Sequence, residues 1–423
     1  MSTPLCNFVF ALCKITHSPH FHPVKLHHGA HLAYCTNIHC GENWTETFTA
    51  LQTHTLAVRE RVAPHSPFAI GLRLSAAAAR ELSDPPVRLA FQRWLAAHDC
   101  YVFTINGFPY GPFHGARVKE SVYTPDWSTP ERLAYTSQLF DLLVQLLPPG
   151  VAGSVSTLPG SFKGCHPGPG QVAAIRRNLW LCVEHIHQLS QASGRCLHLG
   201  LEPEPLCLLE NTTETVEFFG ALRHDRPHDE RLDQFLGVNY DTCHLAVAFE
   251  EPRAALARLH AAGIKISKIH LSSALKTIPT AAARTALARF ADPVYLHQVV
   301  ARSVSGELTY FLDLPAALAA TVPVAEAAAL PEWRIHFHVP LHAPTAAPFA
   351  STQDHLLGTL DLLAAQPGLC QHLEMETYTW EVLPPELKSR SVEDQLAAEY
   401  AWTLARLAER GLADGRLANA GVL

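Results

Sequence analysis

Residues 197–205 read LHLGLEPEP, a run in which Leu197, Leu199 and Leu201 alternate with His198, Gly200, Glu202 and Glu204. Successive side chains of a strand point to opposite faces, so the leucines share one face and the polar residues the other. Such a strand suits a closed parallel barrel. Its apolar face packs the outer helices, its polar face lines the interior, and acids gather at the C-terminal mouth. Three later segments repeat the theme: LGVNYDTCH (236–244) carries Asp241 and His244, KIHLSS (268–273) carries His270, and HLEMETYTW (372–380) carries Glu374 and Glu376. An unpaired charge on so apolar a strand is costly to bury, so a shared divalent cation is the leading explanation. Two or three carboxylates with one or two imidazoles suit Mn, Mg, Co or Zn, with Glu202 or Glu204, Glu374 or Glu376, and His270, His336 or His338 all open as ligands.

Outward from these strands the chain alternates period-two and period-3.6 patterns, as βα units demand. Helices are expected over 129–148, 171–194, 250–263 and 392–411. Thr129 serves as N-cap ahead of Pro130 and Glu131, and Gly194, Gly263 and Gly411 serve as stops. LAYCTNI (32–38), AIGLRLS (69–75), YVFTIN (101–106), GSVSTL (153–158), KISKIHL (265–271) and WRIHFHVP (333–340) complete nine candidate strands where a barrel needs eight. The expected fold is therefore α/β, a TIM (β/α)8 barrel over 27–423 with an Ala- and Pro-rich insertion at about 274–331. Within that insertion PVYLHQVV (293–300) and LTYFLDL (308–314) can pair as a hairpin. Whether WRIHFHVP is the eighth strand or an addition stays open. Residues 1–26 read as an N-terminal extension and a candidate for disorder, since NFVFALC is too short for a spanning helix and has no charged segment before it.

A net charge of -7 over 423 residues, without long runs of one sign, gives no footprint for nucleic acid or an anionic membrane surface. A small-molecule metabolite is the expected partner, with pathway proteins and oligomerisation left open. Eleven cysteines without a C-x-x-C pair indicate a reduced, cytoplasmic setting. With 26 histidines in the chain, no single one carries an argument. Bland readings stand beside the chemical ones: Glu202 or Glu204 paired with Arg73 or Lys163, satisfied core histidines at 270, 336 and 338, and packing roles for Phe108, Tyr110, Phe113, Tyr378 and Trp380.

The stretch from Glu202 to Glu376 resembles the xylose isomerase-like superfamily of TIM barrels. That resemblance implies a metal held by Glu202, Asp241, His270 and Glu376, with His244 as the adjacent histidine. Over nearly the whole chain, AYCTNIHCGENW (33–44), FTINGFPYGPFHG (103–115), RVKESVYTPDW (117–127) and ETYTWEVLPPEL (376–387) are similar to the EboE-like metabolite traffic family. The name implies handling of a metabolite and supplies no reaction.

The reading that follows is a metal-dependent isomerase or epimerase of a sugar-like or polyol metabolite. Glu202 and Glu376 move the proton; Asn106, Phe108, Tyr110, His114, Glu204, His338 and Tyr378 wall the substrate; Arg73 and Lys163 meet its polar groups. The alternatives are a metabolite-binding protein without catalysis and a metal-dependent phosphoester hydrolase.

Overall fold

The computed structural model describes residues 26–114, 117–320, 332–343, 347–383, 388 and 390–414. Apart from Leu26, the N-terminal extension lies outside the described residues, as does 321–331 of the insertion. Eight strands form one parallel sheet: β1 (His31–Tyr34), β2 (Phe68–Arg73), β3 (Cys100–Asn106), β4 (Gly153–Thr157), β5 (Leu197–Leu201), β6 (Leu236–Asp241), β7 (Lys265–Leu271) and the last barrel strand, β13 (His372–Met375). Their order is β1-β13-β7-β6-β5-β4-β3-β2. The two ends of that order meet at a parallel bridge between Cys35 and Gly71, which brings the sheet round into a (β/α)8 barrel.

Helices fill the connections where their caps direct. Thr129 accepts from the Arg132 amide to open the helix Pro130–Leu146. Gly194, at φ 68°, closes the 25-residue helix Pro169–Ser193 in the left-handed conformation that suits glycine. Leu197, Leu199 and Leu201 are buried toward these helices, as strand parity requires. The barrel's lower interior is polar yet satisfied: His372 Nδ1 lies 2.8 Å from Ser154 Oγ, which donates to Thr104 Oγ1 at 2.8 Å, and His198 Nδ1 lies 2.6 Å from Ser267 Oγ.

Between β7 and β13 the chain builds a second, five-stranded sheet from β8 (Ala274–Thr277), β9 (Val299–Arg302), β10 (Leu308–Phe311), β11 (Glu332–His338) and β12 (Phe349–Ser351). Its order is β10-β9-β11-β8-β12, with every pair antiparallel. The expected hairpin is β9 with β10. WRIHFHVP is the added strand β11, and HLEMETYT supplies the eighth barrel strand. β11 has antiparallel neighbours on both sides, β8 and β9, which excludes it from a parallel barrel. β8 starts three residues after β7 ends, so the added sheet springs from the strand that bears His270.

The seam constrains residue 71. A Cβ there would stand 1.9 Å from Glu374 Oε1 and 2.6 Å from the Tyr34 carbonyl oxygen, closer than any real contact. Glycine is what lets β1, β2 and Glu374 approach together. Gly71→Ala is expected to cost about 1–3 kcal/mol through overpacking, read as a lower denaturant midpoint with an unchanged m-value. An unchanged midpoint would show that the seam is looser than this geometry.

Candidate metal centre

The mouth is assembled from strand ends. Glu202 follows β5, Asp241 ends β6, His270 is the penultimate residue of β7, and Glu376 follows β13. These four each offer one donor atom within 4.8 Å of all the others. His270 Nδ1 lies 3.1 Å from Glu202 Oε1, 3.4 Å from Asp241 Oδ2 and 3.0 Å from Glu376 Oε2. None of the four is more than 5% exposed.

Supporting contacts aim each group. His270 Nε2 donates to Glu374 Oε2 at 2.8 Å, which turns Nδ1 toward the cluster. Glu374 Oε2 also accepts from Lys268 Nζ at 2.5 Å, an ion pair with both side chains 0% exposed. Glu376 Oε1 accepts from Asn37 Nδ2 at 2.7 Å and Asn106 Nδ2 at 3.1 Å. Asp241 Oδ1 accepts from the Cys243 and His244 amides at 2.7 and 3.0 Å and from Ser272 Oγ at 2.6 Å. Two buried oxygens, Glu202 Oε2 and Asp241 Oδ2, have no hydrogen-bond partner. Buried carboxylate oxygens without donors are what a cation would satisfy.

The electrostatics agree. Burial disfavours a charged His270, yet the Glu376 and Glu202 carboxylates outweigh it and hold its pKa well above the ordinary imidazole range. Burial raises Glu202 in turn, and His270 more than compensates, leaving it below the usual carboxylate range. The cluster is thus built around one positive centre. Burial pushes Glu204 the other way, toward the neutral acid.

A pocket of about 60 Å³ opens on this cluster, room for about four to six waters. Its polar floor includes Glu202, Glu376 and Asn106; Phe108, Tyr123 and Tyr378 stand among its walls. Asn37, Tyr123 and Tyr295 also line it and were not singled out in the sequence: Asn37 falls in the expected strand LAYCTNI, but β1 ends at Tyr34 and Asn37 sits in a 3-10 turn, Tyr123 ends another such turn, and Tyr295 precedes β9 in the insertion. Lys268 had a signal: it lies two residues before His270 and shares its face.

Other expected contacts fall elsewhere. Arg73 reaches the Gly41 and Gly111 carbonyls at 2.7 Å and Glu42 at 3.3 Å, so it braces loops at the mouth. Lys163 pairs with Glu210 and Glu214 at 2.5 and 2.7 Å. Neither contacts Glu202 or Glu204, which removes the bland ion-pair reading. Tyr110 stacks edge-on against Tyr135, and His114 packs against Phe113 beside Glu42. Glu204 lies above the cluster, accepting from Tyr123 Oη at 2.7 Å and Gln298 Nε2 at 3.0 Å. His244 and His338 stand beside Asp241, and His336 next to both.

No protein-family profile matches the sequence, and no curated protein matches it. Among solved structures, the chain is similar to the IolI protein with a bound zinc atom, at 11% identity and TM-score 0.45, covering 90% of this chain and 98% of that one. It is similar to a xylose isomerase-like TIM barrel protein from Mycobacterium smegmatis in complex with magnesium, at 14% identity and TM-score 0.47, covering 93% and 98%. An L-ribulose 3-epimerase aligns at 14% identity and TM-score 0.43, covering 90% and 96%. The barrel assignment rests on the strand pairing described above. No described helix is long and apolar enough to cross a membrane.

Two outcomes follow for stability. Lys268→Met strands the buried Glu374 charge and is expected to cost about 3–5 kcal/mol in chemical denaturation, partly recovered in Lys268→Met/Glu374→Gln. Equal losses in the single and double variants would deny the pair this role. Glu399, fully buried behind Thr377, is pushed up to about 7 by burial. A carboxyl that holds its proton longer when folded loses stability as pH rises from its ordinary 4.5 through about 7, up to about 3 kcal/mol. Glu399→Gln is expected to flatten that decline between pH 5 and 8, measured as denaturant midpoints; an identical slope would exclude Glu399 as its source.

Proposed function

We propose that Glu202, Asp241, His270 and Glu376 hold a divalent cation and that the protein isomerises or epimerises a small hydroxy-carbonyl metabolite of sugar or polyol type. The carrying observation is the convergence of three buried carboxylates on His270 Nδ1, with Glu202 Oε2 and Asp241 Oδ2 left without donors, at the floor of a pocket sized for a small molecule. A bound cation there supplies electrophilic stabilisation of charge on substrate oxygens. The chain's own residues do the rest. Glu202, with Oε2 free, takes the proton from the carbon between the two oxygens. Glu376, entering from another strand and fixed by Asn37 and Asn106, returns it. Phe108, Tyr123 and Tyr378 exclude water from the carbanion.

A neutral substrate fits better than a phosphoester. Lys119 reaches the pocket lining, but its ammonium is spent on the Asp292 and Tyr295 carbonyls at 2.9 and 2.7 Å and on Asp313 at 2.6 Å. The second reading, metabolite traffic without catalysis as the EboE-like resemblance implies, is favoured by the added sheet. Its strand β11 places His336 on the pocket wall and the segment before β9 places Tyr295 there, an enclosure that suits holding a ligand.

Mn²⁺-loaded protein incubated with small ketoses in D2O is expected to incorporate deuterium at the carbon next to the carbonyl, read by NMR. Glu202→Gln and Glu376→Gln should each lower the rate at least about 100-fold. Tight sugar binding without exchange would replace the isomerase reading with the traffic one. Full activity in chelator-stripped protein would defeat the metal-dependent mechanism.

A further inference from the structure

Three aromatic rings from three separate segments meet over the pocket. Phe113 comes from the loop after β3, Tyr295 from the insertion just ahead of β9, and Tyr378 from the turn after β13. Their ring centroids form a triangle, 5.2 Å between Phe113 and Tyr295, 5.4 Å between Phe113 and Tyr378, and 5.2 Å between Tyr295 and Tyr378. All three line the pocket, none is more than 9% exposed, and with Val118 they make an apolar cluster separate from the barrel core. The acids of the floor sit at the strand ends, whereas these rings come from beyond them. They therefore bound the pocket on its outer side.

Tyr295 is held there from both directions along the chain. The Val118 and Lys119 amides both donate to Val294 O at 2.9 Å. Lys119 Nζ donates to Tyr295 O at 2.7 Å and to Asp292 O at 2.9 Å, and Asp292 Oδ1 accepts from the Val294 and Tyr295 amides at 2.7 and 2.9 Å. Past the ring, Gln298 Nε2 donates to Tyr123 Oη at 2.8 Å and to Pro205 O at 3.3 Å. Residues 292–298 are thus tied to the turn Lys119–Tyr123 and to the loop after β5. A ring anchored in this way is a fixed wall.

We propose that Tyr295, a residue the insertion supplies, sets the length of substrate the pocket accepts and confines it to hydroxy-carbonyl compounds of three or four carbons. The proposal deepens the isomerase reading and rests on it for the class of substrate. Free space of about 60 Å³ holds about four to six water-sized groups. Dihydroxyacetone has about that many non-hydrogen atoms and erythrulose a little more, whereas fructose has about twice as many as dihydroxyacetone and would have to displace the rings. Chemistry limits length in the same direction. Further hydroxyls of a longer chain would be pressed against the faces of Phe113 and Tyr295 and against Val118, which remove water without returning a hydrogen bond.

The test is a ladder of ketoses, dihydroxyacetone, erythrulose, xylulose and fructose, offered to the full-length Mn²⁺-loaded protein in D2O. The kcat/KM for deuterium exchange is expected to fall at least about tenfold from erythrulose to fructose, and Tyr295→Ala should shift the fructose-to-erythrulose ratio upward by at least about tenfold. Tyr295→Phe keeps the ring and should keep the native ratio, which separates loss of the wall from a general disturbance of the fold. Calorimetric binding of glycerol, erythritol, xylitol and sorbitol reads the same limit without turnover: affinity should drop beyond erythritol in the native protein and recover for sorbitol in Tyr295→Ala. If no ketose exchanges deuterium but the polyol ladder shows the drop, the isomerase reading fails and the length limit stands. Equal rates and affinities along the ladders, a preference for the longer members, binding of none of them, or a Tyr295→Ala ratio like that of the native protein overturns the proposal.

Discussion

The burial of negative charge at the mouth governs the rest of the structure. Glu202, Asp241, Glu374 and Glu376 are all at most 5% exposed, and Lys268 is the lysine that reaches them, through Glu374. Carboxylates removed from water must find donors or cations, and the chain supplies them in layers. Lys268 and Ser156 sit deepest, 2.9 Å apart; His270 comes next; Asn37, Asn106 and the Asp241 cap close the upper level. Among the carboxylate oxygens left without a donor are Glu202 Oε2 and Asp241 Oδ2 in the cluster and Glu374 Oε1 below it. The barrel thus keeps its polar demands in one place, where chemistry can use them.

This layering explains how much of the site was legible in sequence. Parity put Glu202 with Glu204, and Glu374 with Glu376, on inward faces, and it identified the strands themselves. It could not separate members of a pair, because a shift of two residues keeps the face and changes only the depth, by roughly 6.6 Å. Depth is what assigns roles. Glu374 lies a layer below the cluster, against Lys268, while Glu376 has cleared the strand end; Glu202 is level with His270, while Glu204 has risen to meet Tyr123 and Gln298.

The long side chains were least legible. Arg73 and Lys163 read as cations for a substrate's polar groups, but each has acidic or carbonyl partners far away in sequence that no local pattern encodes. β11 was ambiguous for a related reason. Its alternation of buried Ile335 and Phe337 with His336 and His338 fits any strand with one apolar face, and only its neighbours reveal an antiparallel sheet.

The two sheets also differ in what they leave open at their margins. A parallel sheet brought round until Cys35 meets Gly71 has its terminal strands side by side, so its backbone groups offer little to an incoming chain. Among the described residues the added sheet stays open, ending in β10 on one side and β12 on the other. β10 is four residues long, and its Thr309 and Tyr310 are exposed. Backbone groups free to pair thus lie at the margins of the added sheet and not along the barrel wall.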